Sequence, residues 1–466
     1  MTAGGAVIAG SGSVDFGGYA SGPLFVPDEG GSTTVRLECG DGIALNPASA
    51  TSFHVVLPAG TYASVGVRAR TSDGRSYSYT KSPEGGVVIE RSTVTHFKPS
   101  EFFDGIEVEN LSGELADRLA GTDASSVTAL RITGTLNATD FAYIRENLTA
   151  LELLDLSGTE MTVFPNRALA FYDDANTTLK EVILPEGLTT IEDAAFANCT
   201  ALEKLDVPSS VSELGRWILE NTAVETFTIP DGVSEIPASC FYGSAITAMV
   251  VPSTVTSFAS IYDDDAEGDC GWTFVACMQL QSLVIEGPVT TIPCDFCWSG
   301  QYDAQDNVVL TNLTSLTLPD EVQEIGAGAF NGCPITALTL PAQLREIGDE
   351  AFAYCKLTEL VLPEGFTTIR GGAFRNAPLE TLDLPSTIED LDTGRHIYLF
   401  NGAGLQTVIC RKSTPPALSQ LYSPFCDVAH FTFVNETCVL KVPAASVEDY
   451  KASDWAKYFK IIQAIE

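Results

Sequence analysis

Basic residues are scarce in this sequence. Its 466 residues include 25 lysines and arginines against 61 aspartates and glutamates, which gives a formal net charge of −36. A surface of this sign repels phosphate groups, so we predict that the chain binds neither nucleic acids nor anionic lipid surfaces.

Long apolar runs and an export signal are also missing. No stretch approaches the length of a membrane-spanning helix, and the opening residues MTAGGAVIAG lack the basic start and apolar core of a signal peptide. The sequence therefore predicts either a cytosolic protein or a chain that begins after a removed leader. In the second case, a lipid anchor on that leader would be its only route to a membrane.

The motifs of common enzymes and metal sites are absent from the sequence. It contains no GxSxG, HExxH or Walker loop and no GxGxxG between a strand and a helix, and its four histidines are scattered. Cys294 and Cys297 form the only close cysteine pair, and no second pair and no histidine pair accompanies them. We therefore predict a protein that is not an enzyme and that holds neither a metal nor a cofactor.

What the sequence does contain is a repeat of 22 residues. Between residues 313 and 385 one proline and one phenylalanine recur at this step, at Pro319, Pro341, Pro363 and Pro385 and at Phe330, Phe352 and Phe374. A fixed period of this size indicates stacked repeats. Cysteines that follow such a phenylalanine by three residues should be small buried hydrophobes, and they are Cys199, Cys277, Cys333 and Cys355.

One repeat begins with Leu-x-x-Leu-x-Leu-Pro. The alternation predicts a short strand with one buried face, which ends at proline because proline has no N–H for a ladder. The second half, from Ile325 to Phe330 in the first unit, predicts a short helical turn that places both side chains in the core. Ordering the backbone of one repeat costs more free energy than its buried side chains contribute, so neighbouring repeats must cover its open faces and form a solenoid.

The unit LxxLxLPxxVxxIxxxAFxxC resembles the leucine-rich repeats of BspA-like surface proteins. The run VTALRITGTLNATDFAYIRENLTALELLDLSGT is similar to that family's opening repeats, and TPPAL followed by VLKVPAASVEDYKASDWAKYF is similar to its bacterial ending. The resemblance covers roughly residues 121–466. It implies an exported or lipid-anchored protein, at the cell surface or outside the cell, with a role in adhesion or host-protein binding.

The first 98 residues lack the repeat. Short alternating runs, such as Phe53 to Leu57 and Val87 to Ile89, are separated by turn signals, which predicts an all-β sandwich. The segment FHVVLPAGTYASVGVRARTSDGRSYSYT resembles the fimbrillin-like and immunoglobulin-like modules of surface proteins from anaerobic gut bacteria.

These patterns predict a mixed fold with terminal caps. Its parts are a β-sandwich domain at 1–98, a connector and N-terminal cap at 99–126, a leucine-rich-repeat β/α solenoid at 127–410 and a C-terminal cap at 411–466. In the caps we expect amphipathic helices, one from Ser112 to Leu119 and one that begins at Ser446 and includes Ile462.

Two insertions, at 259–269 and 299–309, interrupt the period and place aromatic residues beside carboxylates. Because binding hot spots favour aromatic side chains, we predict a binding site there. The candidate residues are Tyr262, Asp263, Asp265, Trp272, Trp298, Tyr302, Asp303 and Asp306. The acids of the first insertion resemble a calcium loop, but Phe274 stands where a bidentate glutamate is needed, so a solvated acidic loop is the favoured interpretation.

A second candidate surface is the concave strand face of the solenoid. The residue between two core positions of each strand should be exposed there, which selects Asp206, Thr228, Thr317, Thr339, Val361 and Asp383 among others. This row is β-branched and almost free of aromatic residues and arginine, so good strand formers on a half-exposed face explain it without a ligand.

The predicted function is that of a non-enzymatic surface or secreted binding protein. It would use the solenoid for protein–protein interaction, with host adhesion as one role. The alternative is a glycan-binding component of a bacterial surface nutrient-capture system, whose exposed aromatic rings stack on sugars. We expect a monomer that binds a protein or glycan.

Overall fold

The architecture is that of a computed structural model, which describes residues 105–170, 175–263, 268–304, 308–391, 404–418 and 437–466. Elsewhere it gives only the backbone of short strands at Val7–Ile8, Ser11–Asp15, Thr34–Glu38, Ile43–Ala44, Gly60–Tyr62, Val65–Arg70, Ser76–Lys81, Val87–Ile89, Cys426–Asp427 and Thr432–Phe433. The β-sandwich predicted for residues 1–98 lies almost wholly outside the described residues. It stays a prediction, as does the resemblance to fimbrillin-like and immunoglobulin-like modules.

The described chain is a mostly-β solenoid of about 13 turns. Within each of three sheets the leucine strand of one turn pairs in parallel with the strand of the next turn, and these strands form what we call the long-strand face. Its three sheets contain Ile106–Asn110, Ala129–Gly134, Leu153–Thr159, Glu181–Ile183 and Lys204–Asp206; Ala248–Val251, Ser282–Ile285 and Ser315–Thr317; and Glu359–Val361, Thr381–Leu384, Thr407–Cys410, Val439–Val442 and Ile461–Ala464.

The isoleucine position of the repeat, which phenylalanine or leucine occupies in some turns, lies in a second set of parallel strands, each two residues long. They are Val163–Phe164, Thr190–Ile191 and Glu213–Leu214; Glu235–Ile236 and Ser257–Phe258; and Thr291–Ile292, Glu324–Ile325, Glu346–Ile347, Thr368–Ile369 and Asp390–Leu391. The prediction that Ile325 begins a short helical turn is therefore wrong. Ile325 pairs with Ile347, and its carbonyl accepts a 2.8 Å hydrogen bond from the N–H of Gly348.

The segment around each phenylalanine forms a third side of the turn, and it is not helical either. Glu350 and Tyr354, two residues before and after Phe352, have φ angles of 53° and 65°. This left-handed backbone interrupts any α-helix. The N–H groups of these three residues donate to carbonyls of the next turn at 2.7–3.0 Å. The predicted β/α solenoid is thus corrected to a mostly-β one.

The phenylalanines stack inside the solenoid. Phe352 is fully buried, with its ring centroid 5.4 Å from that of Phe330 and 5.5 Å from that of Phe374. The predicted burial of the cysteine column is confirmed, since Cys277 and Cys333 are at most 1% exposed. Their thiols donate to carbonyls of an earlier turn at 2.9 Å, which satisfies the one polar group that they bring into the core.

The N-terminal end of the solenoid is closed by two short helices, Leu115–Arg118 and Ala138–Asn147, and by a 3₁₀ turn at Ala124–Ser126. The first helix lies inside the predicted segment Ser112 to Leu119 but is shorter than expected. Asp140, at 1% exposure, joins the two helices. Its carboxylate accepts hydrogen bonds from the N–H groups of Gly113 and Leu115 at 2.7 and 3.0 Å.

The C-terminal end combines the helix Val447–Lys451 with 3₁₀ turns at Ala444–Ser446 and Asp454–Lys457. Trp455 is fully buried and donates from Nε1 to the carbonyl of Pro416 at 2.9 Å. The prediction of helix at Ile462 is wrong, because the strand Ile461–Ala464 pairs with Val439–Val442 and closes the sheet. Among the described residues no helix is long and apolar enough to cross a membrane.

Candidate functional site

The first insertion forms a β-hairpin. Strands Ile261–Asp263 and Gly268–Cys270 pair antiparallel in a sheet of their own, separate from the sheets of the solenoid turns. Tyr262 and Asp263 lie in the first strand, but their side chains are outside the described part of the chain. Asp265 is outside it altogether, so the roles predicted for these three residues stay predictions.

A disulfide fastens the root of this hairpin to the next turn. Cys270 is bonded to Cys294, 24 residues further along the chain, and the two Cα atoms are 4.6 Å apart. Cys297, three residues after Cys294, is fully buried as a free thiol. The sequence did contain a signal for this bond. Cys270 and Cys294 are about one turn apart along the chain, and residues one turn apart lie side by side in a solenoid.

The same place holds the one group of possible metal ligands found among the described residues. Cys270, Cys294 and Asp295 offer ligand atoms within 4.8 Å of one another. The two sulfur atoms are joined in the disulfide, however, whereas a cysteine binds a metal as its thiolate. This arrangement favours a covalent link over a cation site.

The second insertion presents an aromatic pair. Tyr302 is 57% exposed, and its ring stands edge-on to that of the half-buried Trp298 at a centroid distance of 6.2 Å. An antiparallel bridge between Tyr302 and Val308 closes the base of the insertion. Asp303 is exposed next to this pair, whereas Asp306 lies outside the described residues.

Trp272 is half-buried in the turn just before the one that contains Trp298. Its φ of 47° is left-handed, as is that of Glu350 at the equivalent position, two residues before the phenylalanine of its turn. Ala276 then donates to the carbonyl of Trp298 at 2.9 Å, so backbone hydrogen bonds connect the two tryptophan turns directly. The structure thus brings Trp298 and Tyr302 into contact and places Trp272 in the adjoining turn.

The long-strand face exposes most of the predicted concave row. Asp206, Thr228, Thr317, Thr339 and Val361 are all exposed. Asp383 is not, and its predicted place on an open face is wrong.

Asp383 is 7% exposed because Arg411 covers it. The guanidinium donates from Nε and Nη2 to the two carboxylate oxygens at 2.9 and 2.7 Å. Asp155 near the other end of the face is 1% exposed and pairs with Arg131 at 2.6 Å. Both aspartates therefore have a structural partner, and neither is an open carboxylate for a ligand.

The middle of this face carries no charge, a pattern that the sequence reasoning missed. In four successive turns the outward strand positions are Thr247, Ala248, Val250, Gln281, Ser282, Val284, Thr314, Ser315, Thr317, Thr336, Ala337 and Thr339. The first two of these turns carry the insertions. Methyl and hydroxyl groups on a flat sheet suit packing and strand formation, and they lack the aromatic and arginine anchors of protein hot spots.

The free thiols among the described residues are in unreactive environments. All eight are buried, and burial raises the pKa of Cys199 to about 12 and the pKa of Cys355 and Cys438 to about 11. Since the thiolate is the reactive form, these cysteines stay protonated and inert at neutral pH. The Cys270–Cys294 bond is the one disulfide among the described residues.

The chain is similar to several solved structures of leucine-rich repeat proteins. Among solved structures, a leucine-rich repeat protein from Bacteroides ovatus is 15% identical and covers 76% of this chain and 70% of its own, with a TM-score of 0.38. The pneumococcal vaccine antigen PcpA is 17% identical and covers 73% and 79%, with a TM-score of 0.35. A leucine rich cell surface protein from Faecalibacterium prausnitzii is 14% identical and covers 90% and 96%, with a TM-score of 0.29.

No curated protein matches the chain. The repeats themselves carry the assignment, because six copies of the BspA type leucine rich repeat region match residues 168–296 and 308–414, together half of the chain. The predicted resemblance of the repeats is confirmed, and the chain belongs to the BspA-type leucine-rich repeat family.

Proposed function

We propose that this chain is a non-catalytic binding protein of the bacterial surface or of the secreted fraction, and that it binds a partner protein through its two insertions. The observation that carries this proposal is the Trp298–Tyr302 pair. Tyr302 offers more than half of its surface to solvent, at a point where the repeat period breaks. Tyrosine supplies a large, rigid contact at low entropic cost, which is why it is enriched in hot spots.

Three further points support this proposal. Repeat proteins of this family are generally non-catalytic, and the resemblance of the repeats implies an exported protein. The Cys270–Cys294 disulfide agrees with export, because such bonds persist in oxidising compartments and are rare in the cytosol. Host adhesion is the form of binding that we favour.

Glycan binding is the second candidate, and the same aromatic pair favours it. An exposed tyrosine ring can stack on the apolar face of a sugar, while the exposed Gln301 and Asp303 offer hydrogen-bonding groups beside it. The two candidates differ in the ligand and share the site, so one set of variants tests both.

The test uses the oxidised full chain against a panel of purified extracellular-matrix and cell-surface proteins and against a glycan array. Tyr302→Ala should weaken binding to the ligand found by about tenfold or more, since hot-spot truncations cost about 2 kcal/mol. Val361→Ala is the matched control, because Val361 is equally exposed at 55% but lies on the long-strand face.

The outcomes separate the surfaces and the ligand classes. A protein ligand sensitive to Tyr302→Ala alone supports the first candidate, and a glycan ligand with that sensitivity supports the second. Loss of binding with Val361→Ala but not with Tyr302→Ala would assign the interaction to the long-strand face. No ligand in either panel would contradict both candidates.

A further inference from the structure

The disulfide connects the root of the first insertion to the turn that leads into the second. Cys270 is the last residue of the hairpin, and Cys294 lies four residues before Trp298. The N–H of Gly271 also donates to the carbonyl of Cys294 at 2.9 Å, so the root of the hairpin is seated against this turn. The hairpin strands form a separate two-stranded sheet, and an isolated hairpin of this kind is marginally stable in water. The position of the hairpin therefore depends on the bonds that Cys270 and Gly271 make to the neighbouring turn.

The two cysteines differ in exposure. Cys270 is fully buried, whereas Cys294 is half-buried at the surface of the turn. An attacking thiolate therefore reaches the Cys294 sulfur first, with the Cys270 sulfur as leaving group. The eight free thiols described elsewhere in the solenoid are buried, so they do not compete for the bond.

We propose that Cys270–Cys294 is a redox latch that holds hairpin 261–270 beside the turn leading to Trp298 and Tyr302, and that its reduction releases the hairpin. The reductant is a dithiol. One of its thiolates bonds to the Cys294 sulfur, the Cys270–Cys294 bond breaks, and Cys270 leaves as a thiolate that takes up a proton. The second thiolate of the dithiol then displaces the Cys294 sulfur, which is also protonated. The reductant leaves as a disulfide, and the protein carries two thiols.

The latch has a structural consequence and a functional one. Release of the hairpin concerns this part of the fold alone and can be measured without any ligand. The effect on binding rests on the proposed function, since it requires that the two insertions form one binding surface.

Hydrogen exchange of the full chain, followed by mass spectrometry with and without dithiothreitol, tests the structural consequence. Amides of 261–271 and 294–302 should exchange about tenfold faster or more after reduction, because their local opening free energy falls. Amides of the regular turn 324–333, which has no disulfide, should keep their rates. The double variant Cys270→Ser with Cys294→Ser should show the fast rates both with and without dithiothreitol.

Two results would overturn the latch. One is unchanged exchange in 261–271 after mass analysis has confirmed reduction of Cys270 and Cys294. The other is an equal acceleration in 324–333, which would make the bond a general support of the fold.

Binding of the ligand from the panels is then compared for oxidised and reduced protein. A weaker affinity of the reduced form supports the latch and the proposed function together. Faster exchange with unchanged affinity leaves the latch in place and overturns the insertions as the binding surface. The failures of the two proposals are thus distinguishable.

Discussion

The left-handed positions of the turns allow a test with opposite signs at equivalent sites. Gly243 and Ala276 each follow a turn phenylalanine by two residues, with φ angles of 64° and 59°. This backbone costs a non-glycine residue about 1–2 kcal/mol, while a glycine costs about 0.4–1 kcal/mol more than alanine in the entropy of the unfolded chain. Ala276→Gly should therefore raise the free energy of unfolding by about 0.5–1 kcal/mol.

The reverse change should be unfavourable for two reasons. Gly243→Ala introduces the left-handed strain, and its Cβ atom would lie 2.4 Å from the Oδ1 atom of Asn221. The Asn221 amide must then move, which weakens its 2.8 Å hydrogen bond to Asn198. We expect a loss of about 1–2 kcal/mol in the free energy of unfolding.

Urea unfolding followed by circular dichroism measures both changes. Because a long repeat array can unfold in parts, native-state hydrogen exchange of the two turns should accompany it and give local free energies. Changes of the same sign, or a destabilising Ala276→Gly, would refute the left-handed geometry of the turn and the hydrogen-bond pattern that depends on it.

Three further predictions use the core and its charges. Phe352→Ala should lower the free energy of unfolding by about 3–5 kcal/mol, since it leaves a cavity in the phenylalanine stack; a loss below about 1 kcal/mol would contradict the burial of this column. Asp383→Ala should cost about 1–3 kcal/mol through the loss of its two hydrogen bonds from Arg411, yet leave ligand binding unchanged, and the reverse pattern would restore Asp383 as a binding residue. Burial raises the pKa of Cys277 and Cys355 from 9.0 to about 11, so these thiols ionise at lower pH in the unfolded chain than in the folded one. The contribution of these thiols to the free energy of unfolding should therefore be constant below pH 9.0 and be lost between there and about 11; urea unfolding across this range measures it, and a flat profile there would contradict their burial.

The sequence predicts the solenoid well because its period shows directly which residues lie side by side in neighbouring turns. Residues one period apart stack on each other, so the phenylalanine and cysteine columns could be identified without coordinates. The local backbone is harder to predict. The left-handed sites hold glycine at Gly328 but Ala194 and Glu350 in other turns, and alanine and glutamate are good helix formers. Hydrogen bonds to the next turn override that preference, and no single repeat shows them.

The errors at the candidate site have the same origin. For Cys294 the sequence reasoning noted only its spacing to Cys297 and missed the bond to Cys270 in the previous turn. Asp383 was assigned to solvent from the alternation of its own strand, but Arg411 from the next turn covers it. In a solenoid the decisive contacts lie one turn away, at distances that insertions change, so a fixed spacing rule fails where the period breaks.

The same lateral constraint explains why the insertions are the place to expect function. Phe352 contacts a phenylalanine on each side, so a change there disturbs two neighbouring turns. Tyr302 lies outside this stack and can be changed without disturbing it. An insertion, however, lacks the support that stacking gives on both sides, and a two-stranded hairpin is weak by itself. A disulfide at the base of the first insertion supplies the missing support. The eight described cysteines of the regular core have stacked neighbours on both sides and remain thiols.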